Sequence, residues 1–232
     1  MENRRTFLAA TALFAAGTSI ARAQESCAVF TKNSQSATTP EQALARLKEG
    51  NARFVSGRTI HCDLRMQVKE TAGGQAPFAA ILGCMDSRVP PELVFDQRIG
   101  DIFSVRIAGN FVNVDILGSL EYATQVAGAK LIVVLGHTDC GAVKGAVDDV
   151  KLGNLTATLA SIRPAVIEST YVGERTSKNK LFVQSVADQN AKDAAAMLTS
   201  RSPVIASLVK QNKLKIASGM HDVSTGVISW FS

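Results

Sequence analysis

Two short segments carry the residue types that do chemistry. Cys84-Met85-Asp86-Ser87-Arg88 holds a thiol, a carboxylate and a guanidinium, and His137-Thr138-Asp139-Cys140 holds an imidazole and a second thiol. Cys84, His137 and Cys140 together supply two sulfurs and one ring nitrogen, a donor set that suits zinc. Three fixed ligands with a replaceable fourth form a catalytic metal site rather than a closed structural one. Asp86 is available as that fourth ligand or as a group beside the metal. Arg88 can pair with Asp86 through two parallel charge-assisted hydrogen bonds, which would keep the carboxylate ionised and oriented. Each residue also has a plainer reading. Cys84 alone is a small buried apolar side chain, His137 a loop histidine, Cys140 a helix-start or redox thiol, and Asp86–Arg88 a loop salt bridge of little worth if exposed. A Cys84–Cys140 disulfide is the competing account of the two thiols.

The elements around these segments explain why they would meet. Phe78–Gly83, Ile102–Ile107 and Leu131–Gly136 are short runs rich in Val, Ile, Leu and Ala on consecutive positions. That pattern suits strands covered on both faces of a parallel sheet. Cys84 begins where the first run ends and His137 where the third ends. In open α/β sheets ligands bind just beyond the carboxyl ends of strands, so both segments converge on one crevice. Helical patterns lie at about 113–128, 140–152, 156–170, 180–200 and 202–212. Thr39-Pro40-Glu41 reads as an N-cap, a first-position proline and a first-turn acid, opening a helix through about Val55. A second helix is expected between Asp63 and Thr71, stopped by Gly73-Gly74. Leu214–Ser218 and Gly226–Phe231 read as closing strands around the Ser224-Thr225-Gly226 turn. The expectation is an α/β domain: a mainly parallel β-sheet flanked by helices, with an antiparallel closing edge strand and an N-terminal helical arm.

The first residues read as an address. Arg4-Arg5-Thr6-Phe7-Leu8, an apolar run from Ala9 to Ile20, and Ala21-Arg22-Ala23 form a charged region, a short hydrophobic region and an A-x-A cleavage site. The paired arginines resemble a twin-arginine export signal. Residues 1–23 are therefore read as a signal peptide, 24–39 as a mobile Ser/Thr/Gln-rich lead-in, and 40–232 as a single catalytic domain. The expected location is the periplasm. Without residues 1–23 the chain keeps 22 basic and 19 acidic residues. The bases are scattered, which excludes a nucleic-acid footprint, and no other apolar run is long enough to span a bilayer. At 232 residues and 46% hydrophobic the chain can bury a real core. That excludes a disordered chain or a mini-protein held by its 4 cysteines.

Cys84-x-Asp86-Ser87-Arg88 followed by His137-x-x-Cys140-Gly141 resembles the β-class carbonic anhydrases. Gly74-Gln75-Ala76-Pro77-Phe78, Arg106-x-Ala108-Gly109-Asn110, Glu121-Tyr122-Ala123 and Asp222-x-x-Thr225-Gly226 extend the resemblance over about residues 40–231. It implies reversible hydration of CO2 to bicarbonate by zinc-bound hydroxide, with one zinc per chain on Cys84, His137 and Cys140. Asp86 and Arg88 would form the dyad beside the metal, Asp86 becoming the fourth ligand only in a closed state. Gln75 matches the substrate-binding glutamine of the plant-like subgroup. Phe103, Tyr122 and Val89 would wall the pocket, and Gly141 would border it. The pocket lies at a dimer interface in that family, which implies a homodimer or higher homo-oligomer in which Gln75, Phe103 and Tyr122 serve a neighbouring subunit. Ile81 stands where an allosteric bacterial subgroup has tryptophan, which argues against bicarbonate-locked regulation. His61 and His221 are candidate proton shuttles by their ordinary pKa, and Cys27 and Cys62 are free to pair in an oxidising compartment. Two alternatives use the same residues: hydrolysis of CS2 or COS, and a non-catalytic zinc or thiol-redox protein.

Overall fold

The structure is a computed structural model that describes residues 27–231. The export-signal reading and the first residues of the lead-in fall outside them. The described chain opens with α1 (Lys32–Ala37), α2 (Pro40–Val55) and α3 (Leu64–Thr71), followed by β1 (Ala79–Gly83), α4 (Pro91–Val94) and β2 (Ile102–Arg106). Next come α5 (Val114–Glu121), a π-helical turn (Tyr122–Val126) and β3 (Leu131–His137). Four helices follow: α6 (Gly141–Val147), α7 (Leu155–Ala160), α8 (Arg163–Glu168) and α9 (Lys180–Arg201). The chain closes with α10 (Pro203–Lys210), β4 (Lys215–His221) and β5 (Ile228–Trp230).

The strands form one five-stranded sheet in the order β2-β1-β3-β4-β5. Pairing is parallel from β2 to β4 and antiparallel between β4 and β5, as the strand patterns require. Every residue of β1 and β3 is buried, because the sheet is covered on both faces. Ala80, Leu82, Ile132 and Val134 face α5, α9 and α10, packing with Leu117, Leu120, Ala191, Leu198 and Ile205. Ala79, Ile81, Leu131 and Val133 face the opposite way, against Ala43 and Leu47 of α2 and against Val94 and Phe95. The alternation of a pleated strand is thus preserved, but both of its sets are core.

Local chemistry sets the helix ends. Thr39 caps α2 with a reciprocal bond to Gln42, and Asp63 caps α3 by accepting from the Arg65 and Met66 amides. Several expected elements come out differently. The helix expected over 113–128 leaves α geometry after Glu121 and finishes as the π-helical turn, closed by the Ala127 amide on the Tyr122 carbonyl. The helix expected over 140–152 ends at Val147, followed by Asp149 at φ 52°. The helix expected over 156–170 is two, α7 and α8. Pro164 sits in the first turn of the second and has no amide to continue the first. The four-residue α4 was not anticipated, because a single turn has no periodicity to detect.

The described part of the lead-in, residues 27–39, is mostly exposed but is tied to the domain at three points. Gln35 is 4% exposed, and its amide donates to the Pro77 carbonyl at 2.6 Å and the Ala127 carbonyl at 2.9 Å. Phe30 packs on Phe78, and Cys27 forms a disulfide with Cys62. A Ser/Thr/Gln-rich composition suggests a solvated tail, but one buried amide with two acceptors and one covalent tie hold this one down. Replacing Gln35 by leucine leaves the Pro77 carbonyl without its donor. The variant is expected to lose about 1–3 kcal/mol of stability in urea unfolding; an unchanged midpoint would show that the arm contributes nothing.

Candidate metal and catalytic site

The strand order places the site. The chain runs from β1 outward to β2 on one side and returns to β3 on the other, so the crevice opens at the carboxyl ends of β1 and β3. Cys84 directly follows β1 and His137 is the last residue of β3. The His137–Cys140 turn reverses sharply through Asp139 at φ 60°. It is held to β4 by the Thr138 amide on the His221 carbonyl at 2.9 Å and by the Val223 amide on the Thr138 hydroxyl at 3.1 Å. Cys140 then sits at the N-cap of α6.

Cys84, His137 and Cys140 are all buried, and their ligand atoms lie within 4.8 Å of one another. The two sulfurs are 4.0 Å apart and both cysteines are free, so the competing disulfide is not formed. His137 Nδ1 faces the Thr138 carbonyl at 2.9 Å, a contact that needs the proton on Nδ1. Nε2 then carries the lone pair, and it is buried without a hydrogen-bond partner. The paired thiols point the same way. The two sulfurs share a hydrogen bond, which draws the Cys84 thiol down. The same hydrogen bond, together with burial, pushes the Cys140 thiol far up. One proton is thus held between two sulfurs, where a dication would take its place. An orphan nitrogen lone pair and two sulfurs sharing a proton fit a soft divalent metal.

Asp86 and Arg88 stand beside this cluster. Asp86 Oδ1 accepts from the Arg88 amide at 3.0 Å and from Nε at 2.9 Å, and Oδ2 accepts from Nη2 at 2.8 Å. Arg88 therefore holds the Asp86 carboxyl well below the usual carboxylate range. Oδ2 lies 3.9 Å from His137 Nε2. Nη1 of Arg88 reaches Asp139 at 3.8 Å, and Asp139 also pairs with Lys144.

A third group was visible in the sequence only as part of the Arg106-x-Ala108-Gly109-Asn110 segment, with no role attached. Arg106, the last residue of β2, donates from Nε to the Cys84 carbonyl at 2.9 Å and from Nη2 to the Asp86 carbonyl at 2.5 Å. It clamps the backbone on either side of Met85. The usable signal was an arginine at the carboxyl end of the strand paired with β1.

The remaining candidates separate into two groups. Val89 is buried, its amide bonded to the Asp86 carbonyl at 3.2 Å, and Gly141 opens α6 with free space where a side chain would project. Both adjoin the cluster along the chain. Gln75, Phe103 and Tyr122 do not join it. Gln75 is exposed and precedes β1, at the end of that strand opposite Cys84. Phe103 lies on the edge strand β2, in register with Ala80. Tyr122 is half-exposed and meets the Phe103 ring edge-on at 6.3 Å. These two line a shallow open depression with Val114 and Gly118.

The two shuttle candidates also differ. His61 is exposed in the disulfide-bearing segment. His221 is 3% exposed and in register with His137 across the β3/β4 pair. Burial, and then the neighbouring His137, lower its pKa to about 4, so it stays neutral at pH 7. The unfolded chain protonates this residue near pH 6.5 and the folded chain near 4. Between those values the unfolded state binds more protons, so stability falls as pH drops. The expected loss from pH 7 to 4 is on the order of 3 kcal/mol. His221→Gln should flatten that slope in urea titrations at several pH values; an identical slope would remove His221 as its source.

The family model described as carbonic anhydrase matches residues 79–228. "Carbonic anhydrase 2" of Mycobacterium tuberculosis is 37% identical over 191 residues, covering 82% of this chain and 91% of that protein. A carbonic anhydrase of Mycolicibacterium smegmatis is 37% identical over 171 residues, 73% of this chain and 82% of that one. Among solved structures, a tetrameric β-carbonic anhydrase of Sordaria macrospora superposes with a TM-score of 0.64 at 26% identity. That match covers 71% of this chain and 85% of that one.

Proposed function

The chain belongs to the β class of the carbonic anhydrase family, and from that premise we propose that it hydrates CO2 reversibly at the Cys84–His137–Cys140 cluster. Zinc would be held by those three residues, with Asp86 and Arg88 as the catalytic dyad. The observation that carries the reading is the convergence of two sulfurs and an orphan imidazole nitrogen beside a carboxylate locked by arginine. When bound, zinc supplies the Lewis acidity that lets water deliver hydroxide near neutral pH.

The protein's own groups do the rest. Asp86 is an acceptor only, because Arg88 keeps it ionised. A hydroxide beside it would direct its O–H toward Asp86 as a hydrogen-bond donor, which turns an oxygen lone pair toward the incoming carbon. Arg88 occupies both carboxylate oxygens and so holds Asp86 back from the metal position. Arg106 fixes the backbone that carries Asp86. CO2 is small and apolar; Val89 would give it an apolar wall, and the open space at Gly141 would admit it. Gln75, Phe103 and Tyr122 would complete the pocket of a neighbouring subunit, with Gln75 donating to the carboxylate oxygen as charge builds on it. β2 is an edge strand of the sheet, and an unpaired edge invites pairing, which supports a homo-oligomer joined there.

Export to the periplasm belongs to the same proposal. The Arg4-Arg5 signal pattern and the Cys27–Cys62 disulfide support it, as such bonds persist in oxidising compartments. No helix among the described residues is long and apolar enough to cross a membrane.

Two variants test the roles by stopped-flow CO2 hydration on residues 24–232. Cys140→Ser should lose bound zinc and activity together. Asp86→Asn should keep zinc and lose most turnover, on the order of 100-fold or more. Full turnover in Asp86→Asn would remove Asp86 from the mechanism. Zinc retention with normal turnover in Cys140→Ser would remove Cys140 from the ligand set.

A further inference from the structure

Helix α9 contributes Phe182, Val183, Val186 and Ala187 to the same buried cluster as Cys84 and Cys140. Asn190 lies on the same helix and is 4% exposed. A buried amide is costly unless it is bonded. Asn190 Nδ2 donates to the Gly109 carbonyl at 2.8 Å.

Gly109 is an unusual anchor. It lies in the loop after β2 at φ +81°, and a Cβ there would come within 2.3 Å of the Ile162 side chain. Its amide donates to the Cys84 sulfur at 3.3 Å. The glycine is thus held on both sides, its carbonyl by α9 and its amide on a metal-ligand sulfur. The carbonyl bond restricts rotation about the glycine, and only glycine fits the space.

From this chain of contacts we infer that Asn190 is a positioning residue of the metal centre, keeping the Gly109 N–H aimed at the Cys84 sulfur. An N–H donor withdraws electron density from a thiolate. The sulfur then neutralises less of the metal's charge, which leaves the metal a stronger Lewis acid. Two thiolates already cancel the formal charge of a divalent ion, so a donor on one of them matters more here than in an all-histidine site. Groups that orient ligands in this way typically change metal affinity or activity 10–100-fold when removed. The inference rests on Cys84, His137 and Cys140 holding the metal.

The test uses residues 24–232 loaded with cobalt, whose sulfur-to-metal charge-transfer band reports thiolate donation. In Asn190→Leu the band should move to lower energy, and zinc affinity measured by chelator competition should change by about 10-fold. Gln189→Leu, which loses only an amide bond to Asp193 on the same helix, should leave both unchanged. Circular dichroism establishes that the variants are folded. A second measurement needs no substitution. With the spin-one-half isotope of cadmium bound, the Gly109 amide proton should show scalar coupling to the metal through the Cys84 sulfur. A folded Asn190→Leu protein with the parent's band and affinity would overturn the inference, as would a metal-loaded parent without that coupling. A parent that takes up neither cobalt nor cadmium would overturn the metal reading beneath it, a separate result.

Discussion

The parallel pairing of β1 with β3 is the constraint on which the site depends. It sets Ala79 beside Leu131 and Gly83 beside Leu135. The residues just beyond, Cys84 on one strand and His137 on the other, must therefore emerge together. The pairing holds because both strands are buried on both faces, so a slip of one residue would exchange two core surfaces at once. Cys140 needs only the tight turn through Asp139 to return to the same point. The ligand set is a consequence of sheet register before it is a matter of side-chain chemistry.

Charge is managed around that point in layers. Two sulfurs and a histidine in a buried cluster would be unfavourable as bare ions. The Gly109 amide meets one sulfur, and the proton shared between the thiols takes up the remaining charge. Outside them, Arg88 lies between Asp86 and Asp139, and Lys144 pairs with Asp139. Arg106 spends its charge on backbone carbonyls rather than on a carboxylate. Cationic groups thus fix the loop that carries Asp86.

What could be read from the sequence followed from how local each signal is. The strand runs, the Thr39 cap, the helix expected between Asp63 and Thr71 and the ligand-bearing motifs all lie within a few residues, and they are found where the residue types place them. The Asp86–Arg88 fork was legible because two residues on a turn can meet without help from elsewhere. Contacts across the fold were not. Arg106 reaches Cys84 from another strand, Asn190 reaches Gly109 across 81 positions, and Gln35 reaches Ala127 across 92. Gln35 also shows why composition misled: a Ser/Thr/Gln-rich stretch suggests solvent, but the burial of Gln35 is decided by that residue's two acceptors. The π-helical turn and the break at Pro164 were missed because each depends on the end of a helix, where periodicity fades.

Zinc-edge X-ray absorption on the zinc-loaded protein at pH 8 would test the central claim most directly. The account predicts two sulfur scatterers at about 2.3 Å and one imidazole nitrogen at about 2.0 Å, with a single light-atom ligand completing four-coordination. Both sulfurs should vanish from the shell only when Cys84 and Cys140 are replaced together. A shell of nitrogen and oxygen alone, or of three or more sulfurs, would contradict it.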